Sequence, residues 1–188
     1  WRCLPEERRI TSDRLTVTIL RMLGHRWPKQ IEAGEPVPDW ADPDGVIPLT
    51  DNTSEPSLFA RVRDRLAAEF GNGNVEREFE EIMGKPLSQW LVTDFFRTHI
   101  SQFKKRPIAW QLQIGKFNGR KSPAFACMAY YHKLSESFLP TMQSQYIRPL
   151  RQRFETELRG IENTPAASRT GDQTARRVEL TALIEELN

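Results

Sequence analysis

With 188 residues, 38% of them hydrophobic and 28% charged, the chain has the size and composition of one folded domain that buries its own core without disulfides or a structural metal. No apolar run approaches the ~20 residues needed to cross a bilayer, and the opening WRCLPEERRI is too charged to read as a signal peptide. The formal net charge of +2 hides an asymmetry: between Asp94 and Glu136 lie 41 residues without a carboxylate, holding eight of the 27 Lys and Arg side chains.

The other 147 residues carry 19 basic and 25 acidic side chains, so a window near +8 stands beside a remainder near −6. Lys and Arg interleaved with Phe95, Phe96, Phe103, Trp110, Phe117, Tyr130 and Tyr131 suit a polyanion whose phosphates attract the cations and whose bases or sugars stack. A solvated face over buried aromatics gives the same pattern without any ligand. Cys3 and Cys127 share no CxxC spacing, so two unpaired thiols in a reducing, cytosolic compartment are expected. The chain starts at Trp1 and ends inside a helical pattern, which reads as a fragment of a longer protein.

In chain order, Leu15, Ile19, Leu20, Met22 and Leu23 predict an amphipathic helix stopped near Gly24 and Pro28. Residues 30–60 contain no base, seven acids and five prolines, an acidic, turn-rich connector. Ser57 is placed to cap a helix with an inner stripe of Phe59, Val62, Leu66 and Phe70 and a left-handed stop at Gly71. A short helix over Val75 to Met83 ends at Gly84. The next starts near Ser88 and lines up Val92, Phe95, Phe96, His99, Ile100 and Phe103 on one side, with Lys104, Lys105 and Arg106 in its last turn. After Pro107 the period changes to two. Ile108, Trp110, Leu112 and Ile114 predict a strand with one buried face, which favours a core role for Trp110 over a stacking platform. Ala124 to Tyr131 is apolar on both sides, as a central strand would be, and Asn118-Gly119 marks the hairpin turn between them. From Ser135 a helical run through Leu139, Met142, Tyr146, Leu150, Phe154, Leu158 and Ile161 must kink or break at Pro149. A polar linker leads to a last helix with Ala175, Val178, Leu183, Ile184 and Leu187, and the two segments pair as an antiparallel hairpin.

Motifs of catalysis are scarce. His25, His99 and His132 lack ligand spacing; His99, on an apolar helix face, reads as a hydrogen-bonded core residue, and His132, beside Tyr130, Tyr131 and Lys133, is the better candidate of the two for a polar contact. Cys127 reads as a buried thiol. Gly71-Asn-Gly73 follows a helix and has no third glycine, so it is a helix stop and not a dinucleotide loop. Asp42-Pro-Asp-Gly45 resembles the start of a calcium loop without its later ligands, which leaves turn chemistry.

The strings DGVIPLTD, FFRTHISQFKKRPIAWQLQ, AYYHKL and SQYIRPLRQRFETEL, between about Asp44 and Ile161, resemble the region after the catalytic domain in large bacterial adenine-specific DNA methyltransferases. These are the BREX phage-exclusion (PglX-type) enzymes and related single-chain type II restriction-modification proteins. The most specific element is KRPIAW, followed after a hairpin by Tyr-His-Lys. Ala109 stands where an aromatic is usual, and Gln111 and Gln113 where apolar residues are, so the hairpin face is expected to pack differently here. The resemblance implies a parent that uses S-adenosylmethionine through a glycine-rich motif and an Asn-Pro-Pro-aromatic motif. Neither occurs in this sequence, so no cofactor is expected to bind this segment itself.

The resulting expectation is an α+β fragment, mostly helical, with one β-hairpin packed between helices and a C-terminal antiparallel helical hairpin. It divides into residues 1–134, with the connector and the basic window, and residues 135–188. Its expected partners are double-stranded DNA, the methyltransferase domain of the same parent chain and other defence subunits, in the bacterial cytoplasm and not at a membrane. Lys104, Lys105, Arg106, Lys116, Arg120 and Lys121 are the candidate phosphate contacts, with His132 and Lys133 second. The alternative is a scaffold on which other defence subunits dock.

Overall fold

The computed structural model describes residues 5–51, 53–71, 73–103, 106–115 and 123–188. It is an α+β fold, mostly helical, in which a small antiparallel sheet lies between two groups of helices. The first group comprises α1 (Pro5–Met22), α2 (Pro28–Glu32), α3 (Leu58–Phe70), α4 (Val75–Met83), α5 (Leu87–Thr93) and α6 (Phe95–Gln102). The sheet is β1 (Val46–Pro48), β2 (Ala109–Ile114) and β3 (Phe125–Tyr130), in the order β1-β3-β2. The second group is α7 (Phe138–Met142), α8 (Arg148–Glu162) and α9 (Gly171–Glu186).

The expected hairpin is β2 paired with β3 from Ala109 opposite Tyr130 to Ile114 opposite Phe125. A third strand comes from the acidic connector, where Val46, Ile47 and Pro48 pair with Ala129, Met128 and Cys127. Strand β3 is therefore bonded on both edges and covered on both faces, and all six of its residues are buried. Met128 and Tyr130 join Ile47 and Ala109 in the core of α1, α3, α5 and α6, while Phe125, Cys127 and Ala129 join Val46 in the core of the C-terminal helices. This alternation is the two-residue period of a strand serving two layers.

Most helix signals act as their chemistry requires. The Ser57 hydroxyl accepts from the Ala60 N–H, Asn74 caps α4, and Gly84 stops α4 in the left-handed conformation at φ 73°. Thr170 and Gln173 form a capping box at the start of α9. Three expectations are corrected. The helix expected from Ser88 to Phe103 is broken at Asp94, whose carboxylate accepts from the Lys85 ammonium and the Thr93 hydroxyl, both at 2.6 Å. Phe70, placed on the inner stripe of α3, is 68% exposed because the helix end overhangs the core, and Gly71 ends α3 at φ 82°, ψ 176° instead of in the left-handed helical region. Of the kink or break expected at Pro149, the run shows a local irregularity without a break. The turn Gln143–Ile147 widens to a π-helical turn before α8, which accommodates the proline's missing N–H and bulky ring while the helix continues. Helix α9 packs along α8, where Arg176 bonds Glu157 at 2.8 and 3.0 Å.

Candidate nucleic-acid interface

The described part of the basic window runs from α6 through the β2/β3 ribbon and its approaches. Chain enters β2 through Arg106, Pro107 and Ile108, and leaves β3 through the 3-10 turn Tyr131–Lys133. Because the strands are antiparallel, Arg106, His132 and Lys133 share one end of the ribbon, and all three are exposed. Lys104, Lys105, Lys116, Arg120 and Lys121 lie outside the described residues. The last three fall between Gly115 and Pro123 in the sequence.

His99 fixes where the ribbon starts. It is fully buried on α6, and its Nε2 accepts from the backbone N–H groups of Ile108, at 2.8 Å, and Ala109, at 3.0 Å. An Nε2 that accepts two donors carries no proton, so the imidazole is the neutral Nδ1–H form. Burial, reinforced by His25, lowers its pKa from 6.5 to about 4. The expectation of a hydrogen-bonded core histidine is met, and its partners are the first two residues of the Ile-Ala-Trp string.

Trp110 departs from the sequence reading. It is 39% exposed, with Phe96 behind it at 6.3 Å between ring centroids, while Ala109 is the residue of this stretch that is wholly buried. Leu112 and Ile114, on the same side of the strand, are half-buried against the C-terminal core. Gln111 reaches the Val92 carbonyl at 3.4 Å.

His25 and His132 are 107 positions apart, yet both meet Tyr130. His25 Nδ1 shares a hydrogen bond with the Tyr130 hydroxyl at 3.2 Å, and the His132 ring lies edge-on to Tyr130 at 5.2 Å. Burial, then the proximity of His132, lowers the pKa of His25. No sequence spacing announces this meeting, because it is created by the fold bringing the turn after α1 to the last residue of β3. Among the described residues no three His, Cys, Asp or Glu side chains converge as metal ligands. Cys127 is buried, and burial, with Asp44 adding to it, pushes its thiol up to about 12.

Two acids of the connector, Asp42 and Glu55, are paired from α3. Arg61 bonds the buried Asp42 carboxylate at 2.7 Å and Glu55 at 3.3 Å. The second Asp42 oxygen accepts from the N–H groups of Asp44 and Gly45, and the Tyr146 hydroxyl donates to Asp44 at 2.8 Å. Burial, followed by the neighbouring Asp44, raises Asp42 to about 6 against the pull of Arg61. Lys133 touches this turn as well: its ammonium donates to the Pro43 carbonyl at 3.4 Å, and its side chain packs where a Cβ on Gly45 would sit. Arg106 has no carboxylate partner among the described residues.

No protein-family model matches the chain. Similar proteins include the adenine-specific methyltransferase BrxX of Escherichia coli O9:H4 (strain HS), 26% identical over 165 residues that cover 79% of this chain. The adenine-specific methyltransferase PglX of Lacticaseibacillus casei (strain Zhang) is 24% identical over 160 residues, covering 77%. The chain spans 13% of the length of each of these relatives. It is related to a segment of BREX-type adenine-specific methyltransferases, in line with the resemblance carried by its motifs.

Proposed function

We propose that this segment binds duplex DNA and orients it for an adenine-specific methyltransferase domain of a phage-defence protein in the bacterial cytoplasm. The observation that carries the reading is the carboxylate-free window, +8 over 41 residues, which in sequence runs through the β2/β3 ribbon that stands between the two helical cores. Similarity to two adenine-specific methyltransferases supports it. Lys104, Lys105, Arg106, Lys116, Arg120 and Lys121 contact phosphates, with His132 and Lys133 adding to the same end of the ribbon as Arg106. Lys133 is the weakest of these candidates, because its ammonium already faces the Pro43 carbonyl beside Asp44.

Among the described residues no strand leads through a glycine-rich loop into a helix, the arrangement that would cradle a nucleotide cofactor such as S-adenosylmethionine. That cofactor and the methyl transfer belong to the partner domain in this reading. Among the described residues no helix is long and apolar enough to cross a membrane. The test is a titration of labelled duplex at several salt concentrations. With about four to six phosphates engaged, log affinity falls against log salt with a slope near −4 to −5. Reversing charge at Arg120 and Lys121 removes part of that slope. Weak binding that is unchanged by the reversal overturns the reading.

A further inference from the structure

Strand alternation predicts a buried Trp110, and the fold leaves it 39% exposed. Its strand, β2, is the outer strand of the sheet, and its partner across the pair is the small Ala129. Phe96 of α6 stands behind the indole, with ring centroids 6.3 Å apart and planes at 45°. The backbone just before it is pinned by His99, which takes the N–H groups of Ile108 and Ala109. The indole is therefore an aromatic surface held on an anchored strand, backed by one ring and otherwise open to water. Tyr131 belongs to the same end of the ribbon: its N–H donates to the Ile108 carbonyl at 2.8 Å, and the residue is 53% exposed. Arg106, also exposed, enters at that end with no carboxylate partner among the described residues.

We propose that Trp110 stacks on an unpaired nucleobase while Arg106 holds a phosphate of the same strand. The inference rests on the DNA reading above and narrows its ligand to nucleic acid with at least one unpaired nucleotide. In a perfect duplex each base has both faces covered by its neighbours, so an indole meets only base edges, sugars and phosphates. An unpaired base offers a free face of matching size, and the stack tolerates any sequence because every base has such a face. Arg106 and Trp110 are four residues apart, no more than about 14 Å of chain, a distance that a guanidinium and one or two nucleotides bridge between them. The charge nearby favours a nucleotide as the occupant. No carboxylate lies between Asp94 and Glu136 in the sequence, and Asp94, at the start of α6, is already bonded to Lys85 at 2.6 Å. A phosphate arriving with its base is attracted by the guanidinium, and the base covers the ring.

The test uses the 188-residue chain and three labelled 20-base-pair duplexes: one perfect, one with a single bulged guanine, and one whose bulged nucleotide has no base. Fluorescence anisotropy is expected to show the guanine bulge bound at least about fivefold more tightly than either of the others, the lower limit for one base stacked on an aromatic ring. Comparison with the base-free bulge removes the effects of bending and of the extra phosphate. Trp110→Leu, which keeps an apolar contact with Phe96, is expected to abolish the preference, and Trp110→Phe to restore part of it. The bulged guanine is also expected to quench indole fluorescence in the wild-type chain and not in Trp110→Phe. Equal affinity for the three duplexes, with binding that weakens as salt rises, overturns this inference and leaves the DNA reading standing. Absence of binding to all three overturns both. Self-association of the chain that Trp110→Leu abolishes, without a preference for the bulge, overturns the inference in favour of a protein interface.

Discussion

The Nε2 atom of His99 accepts the backbone N–H of Ala109 at 3.0 Å, tying the middle of one helix to the first residue of the strand that organises the basic ribbon. The same atom takes the N–H of Ile108, so one neutral ring satisfies two backbone donors at the start of the strand. A protonated ring would turn an N–H toward both of them. The folded state therefore holds this histidine neutral, with its pKa lowered to about 4.

The sign of the resulting pH dependence follows. A histidine whose folded pKa is depressed below its unfolded value of 6.5 contributes fully above that value, and its contribution is lost as pH falls from about 6.5 to about 4. Urea unfolding at a series of pH values is expected to show wild-type stability declining across this window, by up to roughly 3 kcal/mol from this group. His99→Ala removes that slope. At pH 7 it also costs roughly 2–4 kcal/mol, because two backbone donors lose their acceptor.

Arg61 and Asp42 make the complementary test. Asp42 is buried and its partner is largely so, hence removing Arg61 strands a carboxylate next to Asp44 and Glu55. Arg61→Met is expected to destabilise the fold by about 3–5 kcal/mol at pH 7. Asp42 already sits near 6, and it rises further without the guanidinium, so the loss shrinks as pH is lowered and the acid becomes neutral. Adding Asp42→Asn to Arg61→Met should restore much of the stability at pH 7. A loss from Arg61→Met that is the same at pH 5 and pH 8 would show that packing of the arginine stem, and not the stranded charge, is responsible.

Local signals in the sequence translated into structure wherever one residue type has one physical use. Ser57, Asn74, Gly84 and Thr170 end or begin helices because their hydrogen bonds and dihedral preferences act within four residues. The doubly apolar run Phe125 to Tyr130 became the central strand for the same reason that it was readable: both its faces need cover. What was not legible depends on tertiary meetings. Val46 to Pro48 is too short to show a period of two and becomes a strand only because β3 has an open edge there. Trp110 and Ala109 exchanged roles because alternation gives two faces without saying which side of a particular residue the helices will cover. In the candidate interface the charge window was plain from counting, but the Lys133 contact with the acidic turn needed the fold to reveal it.

Gly115 ends β2 at φ 88°, and the carboxylate of Glu186 on α9 occupies the place where a Cβ would stand. Glu186 is held there by accepting the N–H of Ala124 at 3.2 Å, so the last helix is tied to the described ends of both β2 and β3. Gly115→Ala combines a positive-φ penalty with a displaced hydrogen bond and is expected to cost about 2–3 kcal/mol. Glu186→Ala alone should cost about 1–2 kcal/mol by leaving a buried donor unpaired. In the double variant the collision is gone while the dihedral strain stays. Chemical unfolding should therefore give it a smaller loss than the sum of the two, and full additivity would refute the contact.

The ribbon also sets the spacing of the proposed DNA contacts. Six strand residues, Ala109–Ile114, carry the chain about 17–20 Å from the Arg106 end to the Gly115 end, which corresponds to roughly five or six base pairs of duplex. Charges at the two ends then engage phosphates that are too far apart to share a counterion. Arg106→Glu should flatten the salt dependence of duplex binding by about one unit of slope, and Arg120→Glu with Lys121→Glu by about two. The free-energy losses should add within about 0.5 kcal/mol when the variants are combined, as for independent sites. Anisotropy titrations on a 20-base-pair duplex between 50 and 200 mM salt measure both quantities. If reversal at one end removes all salt-dependent binding, the two ends are not separate phosphate contacts, and the ribbon does not span the duplex in this way.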